Sequence, residues 1–227
     1  MSKYALLFSK TGNIRFTSHL DLLRVFKRAF RRAGIEVSYS QGFNPHPRMS
    51  FCQPLSLGYE GLNEIIEFQT DSDKDRRNWL ADMQTCLPKG IDLIKLGLIA
   101  DGQRSLAGSV ASAEYDIIFP VPYKLKDFTS GLSSFMSQDE ILIDKKMKSG
   151  KTASVDIKDK IRNIRASEHD GKLMISAILD SGSTSNLSPE LLIKAFLEYM
   201  LPYTERYDID VIRREMHFDV DYNITWM

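Results

Sequence analysis

The sequence predicts an α+β protein built as two tandem ferredoxin-like (βαββαβ) units, the second with extra strands. Three observations predict it. Short apolar runs with strand character alternate with two helical patterns in each half of the chain. A stretch rich in Gly, Ser and Ala, from Asp101 to Ser112, separates the halves and reads as a linker. The order strand-helix-strands-helix-strand then recurs beyond it, with no repeat visible at the level of residues. The boundaries implied are an N-terminal basic domain, residues 1–105, and a C-terminal domain, residues 106–227.

In chain order, residues 3–9 read as a short buried strand, with Thr11-Gly12-Asn13 turning after it. Ser18 caps a helix, and Asp21 three residues on suits its positive end. Leu22, Leu23, Phe26, Ala29, Phe30 and Ala33 form the apolar stripe, and Gly34 stops the helix. Ile35, Val37 and Tyr39 alternate as a second strand. The loop Gly42-Phe43-Asn44-Pro45-His46-Pro47 follows, where each proline fixes its own φ and pushes the preceding residue toward extended geometry. Residues 49–57 and 63–70 read as further extended segments. A helix opens at Asp71 or Ser72 and carries Trp79, Leu80 and Met83, and Ile91–Ile99 is a strand.

In the second half, residues 113–121 form a strand and 124–137 a helix. Strands near 140–147, 151–157, 160–167 and 172–180 come next, the last two joined at Asp170-Gly171, a strong hairpin signal. Ser188-Pro189-Glu190 starts a helix with proline at its first position. Residues 208–219 supply the final strand.

Composition excludes several classes. With 43% hydrophobic and 26% charged residues the chain is an ordinary globular protein, neither disordered nor fibrous. It contains no apolar run long enough to span a bilayer and no signal-peptide pattern at its start. Cys52 and Cys86 are too few for a disulfide framework, so a cytoplasmic protein with reduced thiols is expected. The zero net charge conceals an asymmetry. Residues 1–50 hold nine Lys/Arg against Asp21 and Glu36, whereas the remainder holds 21 against 28. That split points to an anionic partner for the first part.

The candidate binding residues lie in two places. Arg24, Lys27, Arg28 and Arg31 fall at i, i+3, i+4 and i+7, so they line one outward helix face, flanked by Arg32. Phe43, Asn44, His46 and Arg48 sit on or beside the proline-stiffened loop. Phe43 offers a flat face for a base or another ring. Asn44 and Arg48 add donors suited to phosphate or amide groups. The bland alternatives are a solvated basic face and a rigid turn whose Phe43 plugs the core.

His19 and His46 are the candidate acid–base residues. For His19 the competing reading is a packed histidine that locks the loop to the helix. No metal site is expected, because His19, His46 and Cys52 lack the short paired spacing of zinc ligands. No cofactor fingerprint, P-loop or nucleophile elbow is present. The run Ser181–Asn186 precedes a helix start, but lacks a Gly-Lys-Ser/Thr ending and reads as an ordinary flexible loop. Of Arg213 and Arg214, one is expected to face solvent and the other to pair.

The segments Arg15-Phe16-Thr17-Ser18-His19-Leu20-Asp21, Arg28-Ala29-Phe30-Arg31-Arg32-Ala33-Gly34-Ile35 and Tyr39-Ser40-Gln41-Gly42-Phe43-Asn44-Pro45-His46-Pro47 resemble the opening of a family of uncharacterised bacterial proteins. These are the radical-SAM-linked proteins, which occur alone or fused behind a radical SAM enzyme. The match is specific in the first sixty residues, and element order extends it over most of the chain. The resemblance implies work alongside a radical SAM protein, near RNA-processing and ribosomal genes. It supplies no reaction, cofactor or catalytic residue. A radical SAM cluster is held by several cysteine thiolates. Cys52 and Cys86 are too few and too far apart for that role, so this chain is the accessory part.

Three readings stand. One is a non-catalytic module that binds an anionic substrate such as structured RNA for a radical SAM partner. The second is a protein–protein adaptor that docks that partner. The third is an RNA-processing or modifying enzyme using His19 or His46. None involves a membrane.

Overall fold

In strand β1 (Ser2–Lys10), Tyr4, Leu6, Phe8 and Lys10 alternate onto one buried face. Two neighbours flank it, both antiparallel: β3 (Glu60–Thr70), with Tyr4 opposite Phe68, and β4 (Ile91–Ile99), with Tyr4 opposite Leu98. A short β2 (Met49–Phe51) pairs with the far side of β3. Helix α1 (His19–Arg32) follows β1, and α2 (Trp79–Thr85) follows β3. The structure, a computed structural model, describes residues 1–71, 78–120, 124–146, 150, 152–201 and 204–227. They form a mixed α+β protein, mostly sheet, with four α-helices.

The chain divides into two compact units, Met1–Val110 with Phe218–Met227, and Ala111–His217. In the first, the aromatic side chains of α1 meet those of the sheet. Phe26 lies 4.8 Å from Phe8 and 5.7 Å from Phe51, ring centre to ring centre, and Phe30 lies 4.6 Å from Phe68. Such tilted contacts suit the aromatic quadrupole, and the buried area supplies most of the stabilisation. The last ten residues return to this unit, where β11 (Ile224–Trp226) pairs with β4 beside Gly97. A Cβ on Gly97 would collide with Ile224 and Trp226, so the absent side chain makes room for the terminal strand.

In the second unit, β5 (Val110–Phe119) pairs antiparallel with β9 (Lys172–Asp180), which pairs antiparallel with β8 (Ile161–His169). The strand β10 (Asp210–Phe218) lies on the other side of β5. The hairpin of β6 (Leu142–Lys146) and β7 (Thr152–Asp156) forms a separate two-stranded sheet. Helices α3 (Leu125–Met136) and α4 (Pro189–Met200) contribute Phe128, Phe135 and Phe196, which cluster with Phe119 at 5.4–5.8 Å. Asp170 and Gly171 both take positive φ, as the two-residue turn between β8 and β9 requires.

Several sequence expectations are corrected. Residues 35–39 form no regular strand: only Tyr39 bridges, to Pro47. Ser38 instead donates its backbone N–H to the Gln69 carbonyl, and the Glu36 carbonyl accepts from Thr70 Oγ1. Those side-chain and loop bonds take the groups a ladder would use. The extended run expected over 49–57 stops at Phe51. The division between the two units falls within Asp101–Ser112, although Leu106 and Ser109 there are fully buried and β5 already starts at Val110. The small residues Gly102, Ser105, Ala107 and Gly108 of this stretch remain exposed.

Ser181–Asn186 closes on itself, with Gly182 N–H donating to the Ser185 carbonyl and Ser185 Oγ to Asp180. The adjacent carboxylate disfavours any anion there. Arg213 is buried, and Arg214 both pairs with Asp116 at 2.8 Å and reaches solvent. The expected helix start at residue 72 lies outside the described residues. No helix among the described residues is long and apolar enough to cross a membrane.

Replacing Phe26, which is wholly buried between Phe8 and Phe51, by alanine is expected to cost about 3–5 kcal/mol of unfolding free energy. Urea denaturation followed by tryptophan fluorescence measures it, since Trp79 belongs to the same core.

Candidate functional site

The start of α1 is built by its own polar residues. Ser18 Oγ accepts from the Asp21 backbone N–H at 3.2 Å and donates to Asp21 Oδ2 at 2.7 Å. Asp21 Oδ1 in turn accepts from Arg24 at 2.8 Å. These contacts, the Ser18 bond first and Arg24 next, hold the Asp21 carboxyl below its ordinary value of 3.8. Lys10, buried at the end of β1, donates to the carbonyls of Arg15 and Thr17 at 3.0 and 3.2 Å. The turn leading into α1 is thereby tied to the sheet.

Burial of Leu22, Phe26, Ala29 and Phe30 turns Arg24, Lys27, Arg28 and Arg31 to solvent. The expected stripe exists. Its members differ in electrostatic state, however. Arg24 is ion-paired with Asp21 at 2.8 Å. The Lys27 ammonium stands 5.8 Å over the Tyr39 ring, a cation–π contact. The guanidinium groups of Arg28 and Arg31 make no ion pair or hydrogen bond among the described residues. Like charges one turn apart cost a helix about 0.2–0.5 kcal/mol per pair. The negative end of the helix offsets part of that for Arg31 and Arg32 in the last turn. A bound anion would offset the rest.

These four cations share an open groove of about 780 Å³ with Ile35, Val37, Tyr39, Pro47 and Met49. Among the described residues Glu36 is the one carboxylate in its lining. Both feet of the proline loop, Tyr39 and Pro47, therefore stand in the groove wall. Sequence reasoning missed Tyr39 as a site residue by taking it for a strand position. The signal was its place at the foot of a loop facing a basic helix.

Phe43, Asn44, His46 and Arg48 do not line the groove. Phe43 does not plug the core: at 112% relative exposure it projects wholly into solvent. Gly42, at φ 130°, supplies backbone geometry that other residues rarely adopt. The loop is closed below the tip, where Ser40 N–H donates to the His46 carbonyl at 2.8 Å and His46 N–H to Ser40 Oγ at 3.0 Å. Asn44 and His46 are exposed, with side chains that make no hydrogen bond among the described residues. Arg48 is a brace, donating to the Tyr39 carbonyl at 3.3 Å and to Gln69 Oε1 at 3.0 Å. Its guanidinium thus has work within the fold that the sequence did not reveal.

His19 packs edge-on against Phe51, 5.2 Å between ring centres. With Phe8, Lys10, Leu22, Gln53, Leu55 and Glu64 it lines a cavity of only about 10 Å³, the lower limit for one water. His19 and His46 share neither that cavity nor the groove. Among the described residues no three His, Cys, Asp or Glu side chains form a metal-binding cluster. Cys52 is buried and Cys86 half-buried, neither in a disulfide.

Residues 3–189 match a family described as "Uncharacterized protein conserved in bacteria (DUF2344)". The chain belongs to this family. No curated protein matches the chain. Similar solved structures include "Crystal Structure of a Cbf5-Nop10-Gar1 Complex", at 9% identity and TM-score 0.49 over 94% of this chain. The chain spans 48% of that one, about half its length. An unknown protein from Galdieria sulphuraria is 8% identical over 96% of this chain and 99% of its own, with TM-score 0.28. DyPB from Rhodococcus jostii RHA1 is 7% identical over 100% and 92%, with TM-score 0.24. Similarity this distant determines no chemistry for a family member.

The capping carboxylate gives α1 a pH dependence of known sign. Because the folded Asp21 carboxyl titrates below 3.8, its contribution is present above that pH and lost as pH falls through the folded value. Helicity and melting temperature followed downward from pH 5 should therefore decline less in Asp21→Asn than in the parent, which keeps the titrating group.

Proposed function

We propose that the first unit grips an anionic polymer, structured RNA, and presents it to a radical SAM enzyme, without catalysing the reaction itself. The observation that carries this is the groove wall of α1, where the Arg28 and Arg31 side chains are exposed and make no ion pair among the described residues, beside the aromatic Tyr39. Guanidinium groups suit phosphate by their planar donor geometry. Contacts of that kind set affinity and position, while sequence or shape is read by other groups nearby. Asn44 and His46 on the loop are the groups placed to do so.

The radical SAM partnership rests on the resemblance of residues 15–47 and on the shortage of cysteines for a cluster of its own. A cytoplasmic location is the matching proposal for a chain whose two cysteines form no disulfide. The two units are proposed to be ferredoxin-like. Two strand orders support this: β4-β1-β3-β2 in the first and β10-β5-β9-β8 in the second, each with a helix after its first and third strands. The β6–β7 hairpin then accounts for the extra strands of the second unit, and the proposed domain division falls in the segment 101–112.

A second reading, the protein adaptor, is favoured by one observation. Phe16, Leu20 and Leu57 are each more than 60% exposed around the N-terminal end of α1, where Gly58 N–H donates to the Arg15 carbonyl. Apolar side chains grouped in this way are typical of protein interfaces.

Salt titration of binding to labelled bulk transfer RNA tests the first reading. Each phosphate contact contributes roughly 0.7–0.9 to the slope of log affinity against log salt. Arg28→Ala and Arg31→Ala should each flatten the slope by about that amount, and Arg24→Ala by less because Asp21 already neutralises it. Binding that ignores salt, or that survives the Arg28→Ala/Arg31→Ala double change intact, would remove this reading. Recovery of a partner after nuclease treatment, lost in Leu20→Asp, would put the adaptor in its place.

A further inference from the structure

We infer that the RNA element gripped at this site is unpaired: a loop, bulge or single-stranded end whose base stacks on Phe43 while its phosphates lie along α1. The inference rests on the RNA reading above and narrows it to one class of substrate.

Three features carry it. The first is the groove. Its volume of about 780 Å³ falls within the roughly 300–1,000 Å³ of sites that enclose small ligands. A few nucleotides of single strand fit such a space. A duplex does not enter it and would meet only the rim.

The second is Phe43. A phenylalanine wholly in solvent costs apolar exposure with no return inside the fold. It stands on a loop whose feet, Tyr39 and Pro47, form part of the groove wall, four residues along the chain from each. The prolines and the Ser40–His46 hydrogen bonds limit the loop's freedom before binding, which reduces the ordering cost of a contact at the tip. In a paired A-form helix the base faces are stacked away and the major groove is too narrow for side chains. A ring presented in this manner finds a base only where pairing is absent.

The third is the interleaving of aromatic and cationic groups. Tyr39 lies under the Lys27 ammonium in the groove wall it shares with Arg28 and Arg31, and Phe43 is exposed on the loop whose foot Tyr39 forms. Aromatic platforms along a cationic groove characterise single-strand binding, in which stacking adds to phosphate contacts without demanding a particular base. An apolar pocket on a protein partner is the competing occupant for Phe43 alone. It leaves Arg28 and Arg31, which make no ion pair among the described residues, without a role.

The experiment compares three labelled RNAs at several salt concentrations: a hairpin with a large unpaired loop, a blunt duplex of the same stem, and oligouridylate. The full-length protein and its Phe43→Ala and Phe43→Trp variants are titrated against each. Expected is tighter binding of the hairpin and oligouridylate than of the duplex. Phe43→Ala should weaken both of the first two by roughly five- to 150-fold, the range that loss of one stacked base gives. Phe43→Trp should retain their binding. Duplex affinity and all salt slopes should stay unchanged in both variants, because the phosphate contacts remain.

Equal affinity for duplex and hairpin, or an unaltered hairpin affinity in Phe43→Ala, overturns this inference and leaves the salt-dependent RNA reading standing. Absence of binding to every probe overturns both, and assigns Phe43 to a protein partner. The exposure of Phe43 keeps the substitutions clear of the core, so folding does not confound the comparison.

Discussion

The seam between α1 and the sheet governs the rest of the first unit. Phe26 and Phe30 enter a layer formed by Phe8, Phe51 and Phe68, and that choice of inward face leaves only one orientation for the arginines. A helix turned by one residue would rotate about 100° and bring a guanidinium toward the aromatic layer. Burying an unpaired charge there costs far more than any gain in contact area. The hydrophobic effect therefore aims the positive charge, although it acts on different residues.

A second constraint sets where the helix begins. Lys10 ends the central strand and spends its ammonium on the carbonyls of Arg15 and Thr17, just ahead of the Ser18 cap. The chain between strand and helix is thus pinned at both ends. The basic face is in this sense preorganised: its backbone need not be ordered when an anion arrives, and only side-chain freedom is lost. The proline loop follows the same logic by different means, with restricted φ angles and a hydrogen-bonded base.

Much of this was legible in the chain itself. The Ser18 cap, the apolar stripe of α1 and the outward arginines follow from helical periodicity, which is a local property. The Asp170-Gly171 turn and the Pro189 helix start were legible for the same reason. What failed were readings that depend on distant partners. Ile35, Val37 and Tyr39 alternate as a strand does, yet their neighbours bond to Gln69 and Thr70 and no regular ladder forms. The Gly/Ser/Ala stretch looked like a linker because small polar residues suit solvent. Gly102, Ser105, Ala107 and Gly108 do remain exposed, while Leu106 and Ser109 among them are buried. Arg48 looked available for a ligand until Gln69, twenty-one residues away, was seen to accept from it.

The sequence by itself determined the kind of secondary elements, the face each helix shows to solvent and the concentration of positive charge near the start. These depend on residue spacing within a few turns, where geometry leaves little choice. The tertiary structure decided which arginines of α1 make no ion pair among the described residues, that Tyr39 stands opposite Lys27, and that Phe43 stays in water while His19 packs against Phe51. Those outcomes depend on which residues far apart in the chain are brought within hydrogen-bonding or van der Waals reach. Periodicity along the chain carries no record of them.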